Sequence, residues 1–521
     1  MLRLLLVLAA LTHLSFERDV YHPSLRSSAS EALLSNKAEM QPSYWAEEAR
    51  AGIERRLRRR GGPRGRARNV VMFLGDGMSV PTLGAARALL GQRQGLTGEE
   101  AQLSFEQFPT VGLSKTYCVD AQIADSACTA TAYLCGVKTN YGTIGVTPAV
   151  ARRNCSHAAD PATHVRSIAA WALDAGKDAG IVTTTRVTHA SPAGAYAHTA
   201  QRDWEDDAEL RLECGDADPA ARQRDIAHQL VHSAPGNQFK VILGGGRREF
   251  LPNTMVDEEG TPGKRADGNN LIEAWEADKR ERNVSYQYVW NRKQLMQLSL
   301  SPPEYLLGLF EGNHMQYHMQ ADPETEPTLA ELTEIAIRSL NRNENGFFLF
   351  VEGGRIDHAH HDNYVSLALD ETLELSRAVA RAAELLSEED SLLVVTADHA
   401  HVMGYSGYTH RGSDILGLSD DRGDDGLPYT TLSYINGPGY RPPVDGHRDD
   451  VSQYDYKDPE LRFPSGVPLE SETHGGDDVG VFARGPHHDL FTGVYEQSQL
   501  PFLMAYAGCF GPGAHACDET D

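Results

Sequence analysis

Cysteine is scarce in this chain, 7 among 521 residues. That excludes a disulfide-stapled miniature fold, and a chain of this length buries a core without one. The count is odd, so at least one thiol is free or pairs between chains. Basic charge is short too: 48 Lys and Arg stand against 73 Asp and Glu, a formal net charge of -25. A surface so acidic repels nucleic acid and does not steer an anion from afar. Apolar runs long enough to span a membrane are missing. No internal repeat recurs. With 40% hydrophobic and 23% charged residues, collagen, coiled coil and wholesale disorder are excluded. The chain closes on Ala516-Cys517-Asp518-Glu519-Thr520-Asp521 without an apolar tail. Residues 518–521 read as a short polar tail, and membrane anchoring through a glycolipid signal is not encoded in the chain as written.

What is present begins with Leu4 to Leu11, almost wholly Leu, Val and Ala behind Arg3. One early positive charge and a short apolar segment read as a signal peptide over residues 1–16. Residues 17–68 follow as a polar helical arm and linker, basic from Arg55 to Arg68. Asn154-Cys155-Ser156 and Asn283-Val284-Ser285 are glycosylation sequons, placing candidate glycans on Asn154 and Asn283. Sequons matter only in the secretory pathway, so the expected address is extracellular, secreted or at the cell surface.

From residue 69 a repeated grammar sets in. Asn69 to Leu74 is a continuous apolar run of buried-strand length. Residues 181–185, 240–243, 347–351 and 392–396 read the same way, and Val479 to Ala483 is a further candidate. Helical patterns lie between them, as at Thr328 to Leu340 and Tyr364 to Leu386. Buried strands alternating with helices predict an α/β fold, a central mostly parallel sheet with helices on both faces. From about 405 to 470 the texture turns to Gly, Pro, Asp and Tyr, which reads as an insertion into one large domain over 69–517.

The chemistry-bearing residues follow the strands. The first strand runs into Asp76, the second into His189 and Ser191, a later one into Glu352, Asp357 and His361, and another into Asp398 and His399. Ligands of open α/β sheets sit at the carboxyl ends of strands, and these residue types bind metals. Asp357 and His361, four apart, share a face if helical, a pairing that suits zinc. His474 supplies a third ligand from far along the chain. Ser126 opens a helix of small residues, Ala124 to Ala132. A helix N-terminus favours a phosphate there. No Gly-x-Ser-x-Gly elbow surrounds the serine, so activation by a metal fits better than a hydrolase triad.

With these residues assembled, the chain resembles the alkaline phosphatase family. The matching stretches are Val70–Met78, Asp125–Lys138, Thr184–Thr199, Phe347–His361, Val395–His401 and Glu472–Arg484. The style is similar to animal, invertebrate-type members, secreted or membrane-anchored. The resemblance implies a phosphate monoester hydrolase acting through a phosphoserine at Ser126, with two zinc ions and one magnesium. It implies Asp357, His361 and His474 on the first zinc. The second takes Asp76, Asp398, His399 and the Ser126 oxygen. Magnesium takes Asp76, Ser191 and Glu352, with His189 nearby. Arg202 is implied to bind phosphate, a task its planar fork suits. Animal members also imply a calcium held by Glu259, the Phe310 carbonyl, Glu311 and Glu326, oxygen ligands suited to that cation. The implied substrates are small phosphate monoesters and the implied assembly is a homodimer, with the N-terminal arm and a crown-like 405–470 insertion at its contacts.

The family's disulfides map onto Cys155–Cys214 and Cys509–Cys517. Mammalian members carry Gly or Ala where this chain has Cys128, and Cys118 is additional. A Cys118–Cys128 bond is expected besides, with Cys135 buried and free. Sulfatases share this sheet and metal grammar but need a Cys/Ser-x-Pro-x-Arg setting that Ser126 lacks. Phosphodiesterase relatives use a threonine nucleophile and lack the third metal site. A silent glycoprotein binding zinc or a partner through residues 405–470 is the remaining alternative, opposed by the presence of every implied catalytic residue.

Overall fold

The computed structural model describes residues 65–215, 223–298 and 301–517. The expected signal peptide, the arm as far as residue 64 and the tail 518–521 lie outside the described residues. The first eight strands are β1 (Asn69–Gly75), β2 (Thr110–Lys115), β3 (Asp178–Arg186), β4 (Val241–Gly245), β5 (Tyr286–Val289), β6 (Tyr305–Leu309), β7 (Phe347–Gly353) and β8 (Ser391–Ala397). Short strands follow: β9 (Ala400–His401), β10 (Met403–Tyr405), β11 (Leu418–Arg422), β12 (Pro428–Thr430), β13 (Leu432–Gly437), β14 (Ser465–Pro468) and β15 (His474–Gly475). Then come β16 (Val479–Arg484) and β17 (Gly493–Glu496).

Ten of these strands form one sheet in the order β17-β2-β16-β8-β1-β7-β3-β4-β6-β5. Only β16 runs antiparallel to its neighbours, β8 and β2. The other ladders are parallel, as expected of a sheet covered on both faces. The coverage is visible along β1, where alternate side chains enter different cores. Val71 and Phe73 face the layer of α1 (Val80–Arg93), α4 (Leu329–Leu340) and α6 (Val365–Leu385). Val70, Met72 and Leu74 face the layer of α2 (Ser126–Cys135), α3 (Ile168–Asp174) and α7 (Leu500–Gly508).

The strands read from continuous apolar runs are all present. Those missed, β2, β5, β6 and β17, sit toward the sheet's two ends. β2 alternates buried and exposed residues and carries Gly112, Ser114 and Lys115, so its apolar content is only half that of a central strand. Residues 405–470 add no strand to the main sheet. Their strands β13 and β14 join β10, just before the segment, in a three-stranded sheet, and β11 and β12 form a hairpin.

Local chemistry starts the helices where the site needs them. Asp125 caps α2, its side chain accepting from the Cys128 N–H at 3.3 Å. Gly136 ends that helix in the left-handed region at φ 77°, a conformation that costs glycine little. α4 opens with a Thr328/Glu331 capping box. α5 (Arg355–His361) starts directly after β7, so Asp357 and His361 project from the carboxyl edge of the sheet.

Candidate active site

β1, β7 and β8 are adjacent, and their carboxyl ends deliver Asp76, Glu352 and Asp398 to one place. All three are fully buried. Burying unpaired carboxylates is costly unless cations compensate. Burial, then the fields of Asp398, Asp357 and Glu352, push the Asp76 carboxyl well above its usual range. Burial likewise raises Glu352 to about 7.

Two rings of ligand atoms stand side by side. In the first, His361 Nε2 lies 3.4 Å from Asp357 Oδ2 and 3.1 Å from His474 Nε2, which is 3.2 Å from Asp357 Oδ1. In the second, Ser126 Oγ lies 3.4 Å from Asp76 Oδ1 and 3.2 Å from His399 Nε2. His399 Nε2 is in turn 3.4 Å from Asp76 and 3.2 Å from Asp398 Oδ2. A tetrahedral zinc with ligands at ~2.0–2.1 Å separates those ligands by about 3.3 Å. The edge lengths of both rings, 3.1–3.4 Å, are compatible with a bound zinc ion.

The surroundings prepare these ligands. His361 Nδ1 and His474 Nδ1 sit 2.6 and 2.7 Å from the carbonyls of Glu472 and Ala124. Each ring thereby donates through Nδ1 and leaves Nε2 with its lone pair free. The Asp398 Oδ1 accepts from the Gly77 and His399 N–H groups, both at 2.9 Å, which leaves Oδ2 for the ring.

A third group lies behind Asp76. Ser191 Oγ is 3.4 Å from Asp76 Oδ2. Glu352 Oε2 accepts from Thr183 and Thr185, whereas its Oε1 is buried without a partner. Hard oxygens with one orphaned carboxylate oxygen fit magnesium. Arg202, on the loop before α-helical residues 207–214, reaches the same place. Its Nη1 donates to Asp125 Oδ2 at 3.0 Å and its Nη2 lies 3.2 Å from His189 Nε2. Asp125 thus caps the serine helix and orients the arginine with one carboxylate.

Residues 67–510 match the family model described as alkaline phosphatase. The chain belongs to the alkaline phosphatase family. The membrane-bound alkaline phosphatase of Bombyx mori is 60% identical over 504 residues, covering 96% of this chain and 91% of that one. The tissue-nonspecific isozyme of Homo sapiens is 46% identical over 487 residues, covering 92% and 91%. Among solved structures, the alkaline phosphatase of the Antarctic bacterium TAB5 shares the fold with a TM-score of 0.58 at 20% identity, over 85% of this chain and 99% of that one. The protein is accordingly an alkaline phosphatase-family hydrolase of phosphate monoesters.

Within this alkaline phosphatase site, sequence reasoning missed His401. Its Nε2 is 2.7 Å from Asp357 Oδ1, too close for both to be ligands of one zinc. Its Nδ1 is hydrogen-bonded to Glu472. Burial alone would lower this imidazole, but Glu472 and Asp357 push it up to about 10. His401 bridges Asp357 and Glu472 and holds Asp357 in place. The sequence does set His401 two residues after His399, and in the fold β9 pairs with β15, setting His401 opposite His474.

Away from this site, the expected calcium ligands converge. Gln316 ties two of them, donating to Glu326 Oε1 from its backbone at 2.7 Å and to Glu311 Oε1 from its side chain at 2.8 Å. Glu326 Oε2 is buried and unpartnered. Burial, with the fields of Glu311 and Glu259, pushes Glu326 up to about 8. Glu259 also accepts from Arg247 at 2.9 Å, and Phe310 is buried beside Glu311 at the end of β6.

Cys118–Cys128 and Cys155–Cys214 are bonded, and Cys135 is free and buried. Cys509 is disulfide-bonded; the side chain of Cys517, its expected partner, lies outside the described residues. Asn283 is exposed and Asn154 is half-buried, capping a short helix. Among the described residues no helix is long and apolar enough to cross a membrane.

Proposed function

We propose that this phosphatase works through a phosphoserine at Ser126, with zinc in the two rings and magnesium behind Asp76. Bound there, the metals would lower the pKa of a coordinated hydroxyl and neutralise phosphoryl charge. The observation that carries the reading is Ser126 Oγ itself, a nucleophile set 3.2 Å from His399 and 3.4 Å from Asp76 in a ring of zinc dimensions.

Arg202 grips two phosphoryl oxygens through its planar fork. Asp125 holds that fork in orientation from one side and His189 from the other. Ser126 Oγ, at the positive end of α2, attacks phosphorus in line, and the bond to the alcohol oxygen breaks. Water then attacks phosphorus from the side the alcohol left, freeing the serine and inorganic phosphate. Glu352, Ser191 and His189 support Asp76 from behind. Magnesium bound in the M3 site of a TAB5 variant is consistent with a hard-metal position in this fold. Calcium at Glu259, Phe310, Glu311 and Glu326 is a structural part of the same proposal. So are secretion or surface display, glycans on Asn154 and Asn283, and the homodimer.

The test is Ser126→Ala, assayed on a chromogenic phosphate ester at matched zinc and magnesium content. Loss of at least about 10³-fold in kcat is expected of a missing nucleophile. Equal rates would refute the serine mechanism.

A further inference from the structure

Cys118 and Cys128 take no part in the chemistry above, yet their bond encloses the segment that supplies it. The covalent ring spans a sequence separation of 10 and contains Ala124, Asp125 and Ser126. Residues 116–125 form no helix or strand. Their outer half is held by hydrogen bonds to the chain that follows α2. Lys138 Nζ donates to the Tyr117 carbonyl at 2.9 Å, the Val119 N–H to the Thr139 carbonyl at 3.0 Å, and the Tyr141 N–H to the Asp120 carboxylate at 2.8 Å. The inner half buries little. Gln122 and Ile123 are exposed and Ala121 is half-buried. Cys118, Ala124 and Cys128, with Ala121 against them, make a small apolar cluster apart from the two cores that flank the sheet. A segment with so few buried apolar contacts opens locally at low cost. The disulfide opposes that opening by tying the segment to the first turn of α2.

What the segment holds is the geometry of the phosphate and zinc ligands. Asp125 Oδ1 accepts from the N–H groups of Cys128 at 3.3 Å and Gly142 at 2.9 Å. That fixes the carboxylate with Oδ2 toward Arg202 Nη1, 3.0 Å away. The neighbouring Ala124 carbonyl is 2.7 Å from His474 Nδ1. Both residues are buried beside the cysteines, so a displacement of the segment moves both acceptors together. The two sulfurs and Asp125 also lie within 4.8 Å of one another, but sulfurs bonded to each other are not thiolates and hold no metal.

We infer that the Cys118–Cys128 disulfide is a positioning element for the reaction, holding Asp125 and the Ala124 carbonyl where they orient Arg202 for phosphate and His474 for zinc. The inference rests on the phosphate role of Arg202 and the zinc role of His474. It adds two residues that touch neither substrate nor metal.

The test is the double variant Cys118→Ala/Cys128→Ala, studied well below its unfolding midpoint. Calorimetry on the zinc- and magnesium-loaded protein should find the Kd of inorganic phosphate raised about tenfold, and zinc affinity against a competing chelator should weaken about tenfold. A bond that serves stability alone shifts the unfolding midpoint and leaves both affinities as they are, which would overturn the inference. A double-mutant cycle separates the route. In the Asp125→Ala background the cysteine substitutions should change the phosphate Kd by less than about twofold, because the group they position is gone. The full tenfold rise in that background would also overturn it. Should the double variant not fold, wild-type holoenzyme opened with a phosphine reductant gives the same readout, with alkylation mapping the opened bonds. Cys118–Cys128 opened at unchanged phosphate affinity refutes the role. Absence of turnover in the wild type would count against the Ser126 mechanism instead, since both affinities are read without turnover.

Discussion

Calcium binding at Glu326 should depend on pH in a direction that follows from its burial. In the metal-free fold Glu326 titrates near 8, against an ordinary 4.5. Between those values the folded state keeps a proton that the unfolded chain has released. Raising the pH through that window therefore lowers stability, by at most about 5 kcal/mol once both states are ionised. Calcium needs the carboxylate, so binding expels the proton and removes that penalty. Below about pH 8 the apparent calcium Kd should rise roughly tenfold per pH unit while one carboxyl is titrating. Isothermal titration of calcium into calcium-free protein, with zinc and magnesium held constant, measures this from about pH 6 to 9. Glu326→Gln should bind weakly and lose the pH slope. An affinity independent of pH, or unchanged in Glu326→Gln, would refute the reasoning.

Three further outcomes are expected. His401→Ala frees Asp357 from its clamp and should weaken zinc affinity about 10–100-fold, read by zinc retention against a competing chelator; retention equal to wild type would contradict the role. Arg202→Ala should lower kcat/KM by about 10²-fold or more through lost bidentate phosphate binding and weaken product inhibition by inorganic phosphate in parallel. If phosphate inhibition is unchanged, Arg202 does not grip the phosphoryl group. The Cys118–Cys128 bond closes a loop of sequence separation 10 around Ser126. Replacing both cysteines with serine should cost roughly 3 kcal/mol by loop-closure entropy, measured by denaturant unfolding, and an unshifted midpoint would count against it.

The legible parts of this protein share a physical character. β1, β7 and β8 are buried on both faces, so their sequences are continuous apolar runs ending on Asp76, Glu352 and Asp398. Burial made them visible, and the sheet's rule that ligands collect at strand ends made their acids meaningful. β2 and β17 escaped notice because a half-exposed strand at the sheet's end needs only half the apolar residues. His401 escaped for a different reason. A ligand and the group that orients it use the same residue types, and only the 2.7 Å contact with Asp357 separates the two.

The sequence alone determined the fold class, the carboxyl-edge placement of the acids and histidines, and the serine at a helix start, because each depends on chain-local pattern. Tertiary structure decided which oxygens and nitrogens come within 3.4 Å of one another, since Ser126 and His399 are 273 residues apart. It also decided that His401 sits between Asp357 and Glu472. Charge balance is settled by neighbours in space, and a sequence with 25 more acids than bases gives no hint that Asp76, Glu352 and Asp398 are buried side by side.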